Sequence, residues 1–560
     1  MNLLGAKRRF DAIVVGSGAT GGWAAKILCE GGLEVLLVEA GSELKPGLDR
    51  PNLKSESHKR SKHYVQSRCS SYNDNTSEYF VNDEDNPYTT PPDKPFSWIR
   101  SHVVGGRTLL WAGQSYRMSE FDFKAARYDG YGEDWPISYA DIEPYYSRAE
   151  RLLTVRGTRE NLPQIPDGDL CPAPSMNENS IHLRSAFAKC GESLIPARIS
   201  SELPPPGEER ICIHCNRRNG GCLLHTASPS STLAAAYRTG RLTILSNTVV
   251  RHVVTDTEGK AVGVYAIDKE TRHESEVYGR LIFLCASTLE STRILLNSVS
   301  RIHPNGFGNS SGVLGHYLMD HISGVATTAY FRDKDLSHQQ EGTQPVQLMY
   351  IPRSQNLGSD GSRPYLRGYG YQVTVLKANR FARNVSSSCG DDRALLKAPQ
   401  KENPYLDGKV VVRLQAFGEM LPRFENYVEI DRSAKVDAWG IPVLSVFCEH
   451  GENQREMLKD MISNSQALVD AAGATTVSFQ KKLQEPGLCI HESGTCRMGM
   501  DPRTSVLNRY NQLHDAANVF VTDGSSFTSQ GTQNPTLTMM ALTIRAGVHA
   551  LALAQKNELG

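Results

Sequence analysis

The chain has 560 residues, with 61 Lys+Arg balanced by 61 Asp+Glu. A formal charge of zero with no basic block argues against nucleic acid or an anionic membrane surface as a partner. The length exceeds one simple core, so two or three units are expected, and no run reaches the roughly 18 apolar residues of a membrane span.

The N-terminus, "MNLLGAKRRFDAIVVGSG", passes from a basic cluster straight into a strand. It lacks the apolar region and cleavage site of a signal peptide, and cleavage after Arg8–Arg9 would cut into that strand, so no export signal of its own is expected. Residues 11–15 form the strand, Gly16, Gly18 and Gly21 follow as GxGxxG, and helical periodicity runs from Trp23 to Cys29. A second strand, residues 34–38, ends at Glu39. The glycines let the turn close, admit a pyrophosphate to the backbone and let helix pack on strand, and the carboxylate suits a ribose 2′-hydroxyl. This predicts a doubly wound dinucleotide fold; the motif alone does not separate NAD from FAD.

Residues 46–99 are polar and poor in periodicity, which predicts an extended excursion or lid. "CIHCNRRNGGCLLH" follows at 212–225, in a chain whose 12 cysteines are otherwise scattered singly. Cys212, Cys215, Cys222 and His225 have a spacing that suits a tetrahedral zinc site; a disulfide or plain thiols are the other readings. Between 300 and 487, "KVVVRLQAFGEM" and "NYVEIDR" alternate as strands of a half-buried sheet do, with Gln415 and Glu419 as candidate partners for substrate hydroxyls. "NVFVTDGSSF" at 518–527 reads as a strand running into a polar turn at Asp523 and Gly524. A nucleotide fold that opens at residue 11 and closes past residue 500 encloses an inserted domain, as large flavoproteins do. Asn534-Pro535 has the form of a helix start, with Asn at the N-cap and Pro at the first helical position. The apolar stretch beyond it, "TLTMMALTIRAGVHALALA", is broken by Arg545 and His549 and reads as a buried helix.

Several stretches, in order, carry a resemblance over nearly the whole chain: the glycine turn, "HVVGGRTLLWAGQSYRM" (102–118), "DWPISYADIEPYYSRAE" (134–150), "LCASTLESTRILLNS" (284–298), "HESGTCRMG" (491–499) and "NPTLT" (534–538). The chain resembles the glucose–methanol–choline oxidoreductases, and "GGRTLLWAG" with "GNSSGVLGHYLMDH" (308–321) looks most like the sugar-oxidising branch. The resemblance implies an α/β fold: a Rossmann-like FAD-binding domain (1–45, 100–133, 230–300 and 488–560) interleaved with an α+β substrate-binding domain containing an antiparallel sheet (134–229 and 301–487). It implies His491 as catalytic base and Asn534 as its partner. Gly16, Gly18, Gly21, Glu39, Thr108, Trp111, Ala112, Gly113, Val250, Asp523, Gly524 and Thr536 are the implied FAD contacts, and the role of Arg107 is left open. Relatives that bond the flavin covalently place a histidine before the tryptophan; Leu110 stands here, so the FAD is expected to be non-covalent.

The implied activity is oxidation of a sugar or glycoside hydroxyl by hydride transfer to flavin N5, with C3 of a glucoside, giving a 3-keto sugar, as the specific expectation. Relatives with a three-cysteine cluster at this point use it for a [3Fe–4S] centre. Cys212, Cys215 and Cys222 are therefore expected to hold iron and sulfide, with zinc as the alternative and His214 and His225 as neighbours. Electrons would leave to a cytochrome c or a quinone, and a small accessory subunit would bring the export signal, placing the protein in the periplasm; the alternative is the cytoplasm. An oxygen-using sugar oxidase and a lyase with a non-redox flavin are the competing activities.

Overall fold

A computed structural model describes residues 9–43, 62–74, 76–200, 226–334, 346–358, 363–377 and 409–556. The cysteine-rich stretch 212–225, and with it Cys212, Cys215 and Cys222, lies outside the described residues.

The first sheet starts at β1 (Arg9–Val15), turns into α1 (Ala19–Glu30) and returns as β2 (Val35–Val38). Later stretches add β4 (Leu242–Leu245), β5 (Thr248–Thr255), β6 (Ala261–Asp268), β7 (Glu274–Leu284), β13 (Gln512–Leu513) and β14 (Ala516–Val521). The strand order is β13-β14-β7-β1-β2-β4, with β6 pairing antiparallel to β7 and β5 pairing antiparallel to β6. β14, β7, β1, β2 and β4 run parallel. Parallel strands are covered on both faces, which is why Val35–Val38 is an unbroken apolar run buried throughout.

The second sheet is antiparallel, in the order β12-β8-β11-β10-β9-β3. Its strands are β3 (Ile195–Pro196), β8 (Val325–Arg332), β9 (Val346–Ile351), β10 (Tyr369–Lys377), β11 (Lys409–Gly418) and β12 (Thr475–Lys481). Between the strands of the first sheet fall α2 (Tyr139–Leu153) and α3 (Thr288–Asn297); α4 (Glu452–Ala471) precedes β12. The helix α4 buries Met457, Met461, Ser465 and Leu468, one stripe at helical spacing, against the second sheet. Each buried Met or Leu there stabilises the packing by about 1.5–3 kcal/mol. Along β11, Val412, Leu414 and Ala416 are buried while the alternate residues Gln415 and Phe417 open onto a cavity.

The last helix, α5 (Thr536–Gln555), is long and apolar enough to cross a membrane by length and composition. In this fold it is packed against α1 and α2. Its Arg545 hydrogen-bonds to the carbonyl of Arg509 and lies 4.8 Å over the ring of Tyr510, on which His549 stacks at 3.9 Å. One continuous apolar cluster joins residues of both sheets, so the two layers share a core.

Candidate active site

A cavity of about 430 Å³ runs between the sheets, from the glycine turn at one end to His491 and Asn534 at the other. At the first end the backbone does most of the shaping. A Cβ on Gly21 would lie 1.9 Å from the carbonyl of Gly16, so only glycine lets α1 close on β1. A Cβ on Gly18 would meet nothing within 4 Å, because that side of the turn is cavity. The N-terminus of α1 has no side-chain cap and no acid in its first turn, leaving its positive end for an anion. Glu39 is held at the wall by Ser17, whose N–H and hydroxyl donate to one oxygen at 2.9 and 2.6 Å, and by the N–H of Gly41 at 2.7 Å. Burial pushes its carboxyl above the usual range.

The far end is built from side chains. Asp320 is buried, and its carboxylate accepts from the backbone N–H groups of His321, Gly487, Cys489 and His491 at 2.8–3.2 Å. Burial, aided by Glu492, raises it to about 7 against the pull of those donors. This clamp folds the 487–491 loop so that the His491 ring enters the cavity; Ile490, a β-branched residue, takes φ 60° to make the bend. The ring contacts His321, Nδ1 to Nδ1, at 2.8 Å, and Asn534 Nδ2 to Nε2 at 3.1 Å. Burial holds His491 well below the usual histidine range, with His321 and Arg107 pushing the same way. On the other side, Gln372 of β10 donates to Asn534 Oδ1 at 3.1 Å, and its register partner on β11 is Gln415. Both glutamines line the cavity, with Phe417 as an apolar neighbour.

Residues 10–323 and 422–543 of the chain match two family models, each described as GMC oxidoreductase. The chain belongs to the GMC oxidoreductase family. It is 28% identical over 547 residues to 2-methyl-1,2-propanediol dehydrogenase of Mycolicibacterium austroafricanum, covering 96% of this chain and 94% of that one. To the fructose dehydrogenase large subunit of Gluconobacter japonicus it is 27% identical over 567 residues, with 96% of each covered. Among solved structures, pyridoxine 4-oxidase from Mesorbium loti superposes with a TM-score of 0.58 at 18% identity, covering 96% of this chain and 98% of that one, a likeness of fold. As a GMC oxidoreductase the protein is a flavin enzyme of alcohol and sugar CH–OH groups, and the family's cofactor is FAD. The cavity fits that cofactor on its own terms: an open glycine turn, an uncapped helix N-terminus and a carboxylate follow one another along one wall.

Of the residues expected to touch FAD, Gly16, Gly18, Glu39, Thr108, Trp111, Ala112, Val250, Asp523, Gly524 and Thr536 line the cavity. Gly21 does not; its place is the helix–strand contact just described. Gly113 does not line it either, because its carbonyl accepts from Ser200 N–H at 2.8 Å and from the Ser115 hydroxyl at 2.9 Å, which turns it into the protein. The Thr108 hydroxyl is occupied within the wall, donating to Gly105 O at 2.6 Å and accepting from Ser228 N–H at 3.0 Å.

Two side-chain expectations are corrected. Asn534 is not the cap of α5: the helix begins at Thr536 behind Pro535, without a side-chain cap, and both ends of the Asn534 amide are taken by Gln372 and His491. Glu419 is not a hydroxyl partner. It is fully buried and paired with Arg367 at 3.3 Å, away from the cavity. The open question of Arg107 is answered by Glu492, which it meets at 3.0 Å on the cavity wall beside His491. Gln372, Asp320 and His321 were missed. "LMDH" at 318–321 carries part of the family resemblance, and nothing in its local pattern says that the acid and the imidazole serve a loop 170 residues away.

Proposed function

We propose that the protein oxidises a hydroxyl of a sugar or glycoside, with C3 of a glucoside as the position, and passes the electrons to an acceptor other than oxygen. The observation that carries the base assignment is the contact of the His491 ring with Asn534 and His321, with no carboxylate hydrogen-bonded to that ring among the described residues, which leaves a neutral imidazole at the cavity wall. His491 Nε2 takes the hydroxyl proton, and Asn534 holds the oxygen beside it. Gln372 and Gln415 present amides to neighbouring hydroxyls, and Phe417 offers an apolar surface to the sugar's C–H face. FAD, when bound along the wall from Gly18 to Thr536, supplies the two-electron acceptor.

An iron–sulfur centre on Cys212, Cys215 and Cys222 is part of this reading. Supporting it, the stretch that contains them leaves and rejoins the described fold at one place beside the cavity. Thr226 N–H donates to the Ser200 hydroxyl at 3.4 Å, Ser200 N–H to Gly113 O at 2.8 Å, and the indole of Trp111 to Thr226 O at 3.2 Å. Among the described residues no group of three or more His, Cys, Asp or Glu is placed to hold a metal. The likeness to a fructose dehydrogenase large subunit supports work within a complex; a small partner bringing the export signal, a cytochrome c as acceptor and the periplasm as location complete the proposal.

Anaerobic mixing with glucosides, fructose and gluconate, followed by the flavin absorbance, tests the substrate class: bleaching by a glucoside with a 3-keto product is expected, and no bleaching by any sugar favours a lyase. Efficient peroxide formation in air overturns the dehydrogenase reading in favour of an oxidase. Iron and acid-labile sulfide in protein purified without air are expected; zinc without sulfide overturns the cluster.

A further inference from the structure

We infer that His321 is a positioning residue that locks His491 in the Nδ1–H tautomer, leaving the lone pair on Nε2 facing Asn534 and the cavity. The carbonyl of Gly531 can only accept, and it lies 2.9 Å from His321 Nε2, so that nitrogen carries a hydrogen. His321 is buried, which pushes it down to about 4 and makes it neutral, so its Nδ1 is bare. That bare nitrogen sits 2.8 Å from His491 Nδ1. Two lone pairs at that distance repel, so His491 Nδ1 carries the hydrogen and donates.

His491 is itself held neutral by burial, by His321 and by Arg107, so its Nε2 has no hydrogen and accepts from Asn534 Nδ2. Asn534 Oδ1 is then free to accept from Gln372. Every hydrogen bond in the row points the same way, from Gln372 through Asn534, His491 and His321 to Gly531. Turning any one group round places two donors or two acceptors face to face, or demands a charged imidazole in a buried site. In water the other tautomer of neutral histidine, with Nε2–H, is the favoured one. It cannot take a proton on the nitrogen that faces Asn534, so the lock has a chemical use.

This inference rests on the reading of His491 as base only for its consequence, since the tautomer is measurable without turnover. Histidine-selective ¹⁵N labelling of the holoenzyme, with His491→Asn and His321→Asn used for assignment, distinguishes the two ring nitrogens by shift. The expected signature is a protonated Nδ1 and bare Nε2 on His491, with the opposite pattern on His321. Averaged or reversed shifts at His491 overturn the proposal. His321→Leu removes the acceptor and is expected to average the His491 tautomer and slow flavin reduction by about 10²-fold with FAD content and KM retained. His321→Asn, whose Oδ1 takes the place of the ring Nδ1, is expected to restore most of that loss. An unchanged rate in the leucine variant counts against the lock. If the wild-type shifts are as stated but His491→Ala reduces its flavin normally, the base assignment falls and the tautomer stands.

Discussion

The two ends of the cavity are made in opposite ways. At the nucleotide end a turn of glycines, a helix terminus and one carboxylate lie within residues 16–39, and the shape follows from how closely the backbone approaches itself. At the catalytic end the working groups come from residues 321, 372, 491, 531 and 534, and the shape follows from which atom donates to which. The first end tolerates no added atom at Gly21; the second tolerates no missing donor or acceptor. Steric damage should therefore appear as lost cofactor, and polar damage as lost rate with the cofactor in place.

The largest separation of these effects is expected from His491→Ala, which should slow flavin reduction by sugar about 10³-fold or more while the purified protein keeps its FAD. Loss of FAD from that variant would place His491 in the cofactor's grip instead. At the other end, Gly21→Ala puts a Cβ 1.9 Å from the Gly16 carbonyl, and the protein is expected to lose most of its FAD during purification. Full flavin content by absorbance would break the comparison. A smaller effect should come from Gln372→Leu, which leaves Asn534 Oδ1 without its donor; a drop of about 10-fold in flavin reduction, with FAD content unchanged, is the outcome to check by stopped flow.

The remaining effect is on stability against pH rather than on rate. His321 is depressed to about 4 in the folded protein from 6.5 unfolded, so its contribution is present above pH 6.5 and is lost as pH falls toward 4. Asp320, Glu492 and Arg107 remain in both proteins, so comparing wild type with His321→Asn reads the imidazole together with the change its loss makes at His491, which it contacts and helps hold down. Wild type should lose about 3 kcal/mol relative to the variant between pH 7 and pH 4, read from urea midpoints. Parallel curves would mean that His321 is already charged in the fold.

Legibility in the sequence followed the same division. The glycine turn, Glu39 and the apolar runs of β1 and β2 were readable because each is determined by neighbours within a few dozen residues. The alternation in β11 was readable for the same reason, and it placed Gln415 on the cavity face correctly. It also suggested Glu419, four residues on, but the strand ends at Gly418 and the acid turns inward to Arg367. Asn534-Pro535 misled in a different way: the pair has the composition of a helix cap, and local chemistry does not reveal that the amide has better partners 43 and 162 residues away.

The sequence by itself determined a nucleotide-binding turn, a chain that leaves that fold and returns to it, and, through ordered motifs, membership of a flavin oxidoreductase family. Those depend on spacing along the chain, which the sequence states directly. Only the tertiary structure decided that Asp320 clamps the histidine loop, that Arg107 answers Glu492, and that His491 stands in a one-way row of hydrogen bonds ending at Gly531. The direction of a hydrogen bond depends on the atom at its far end, and here that atom is brought in by another part of the fold.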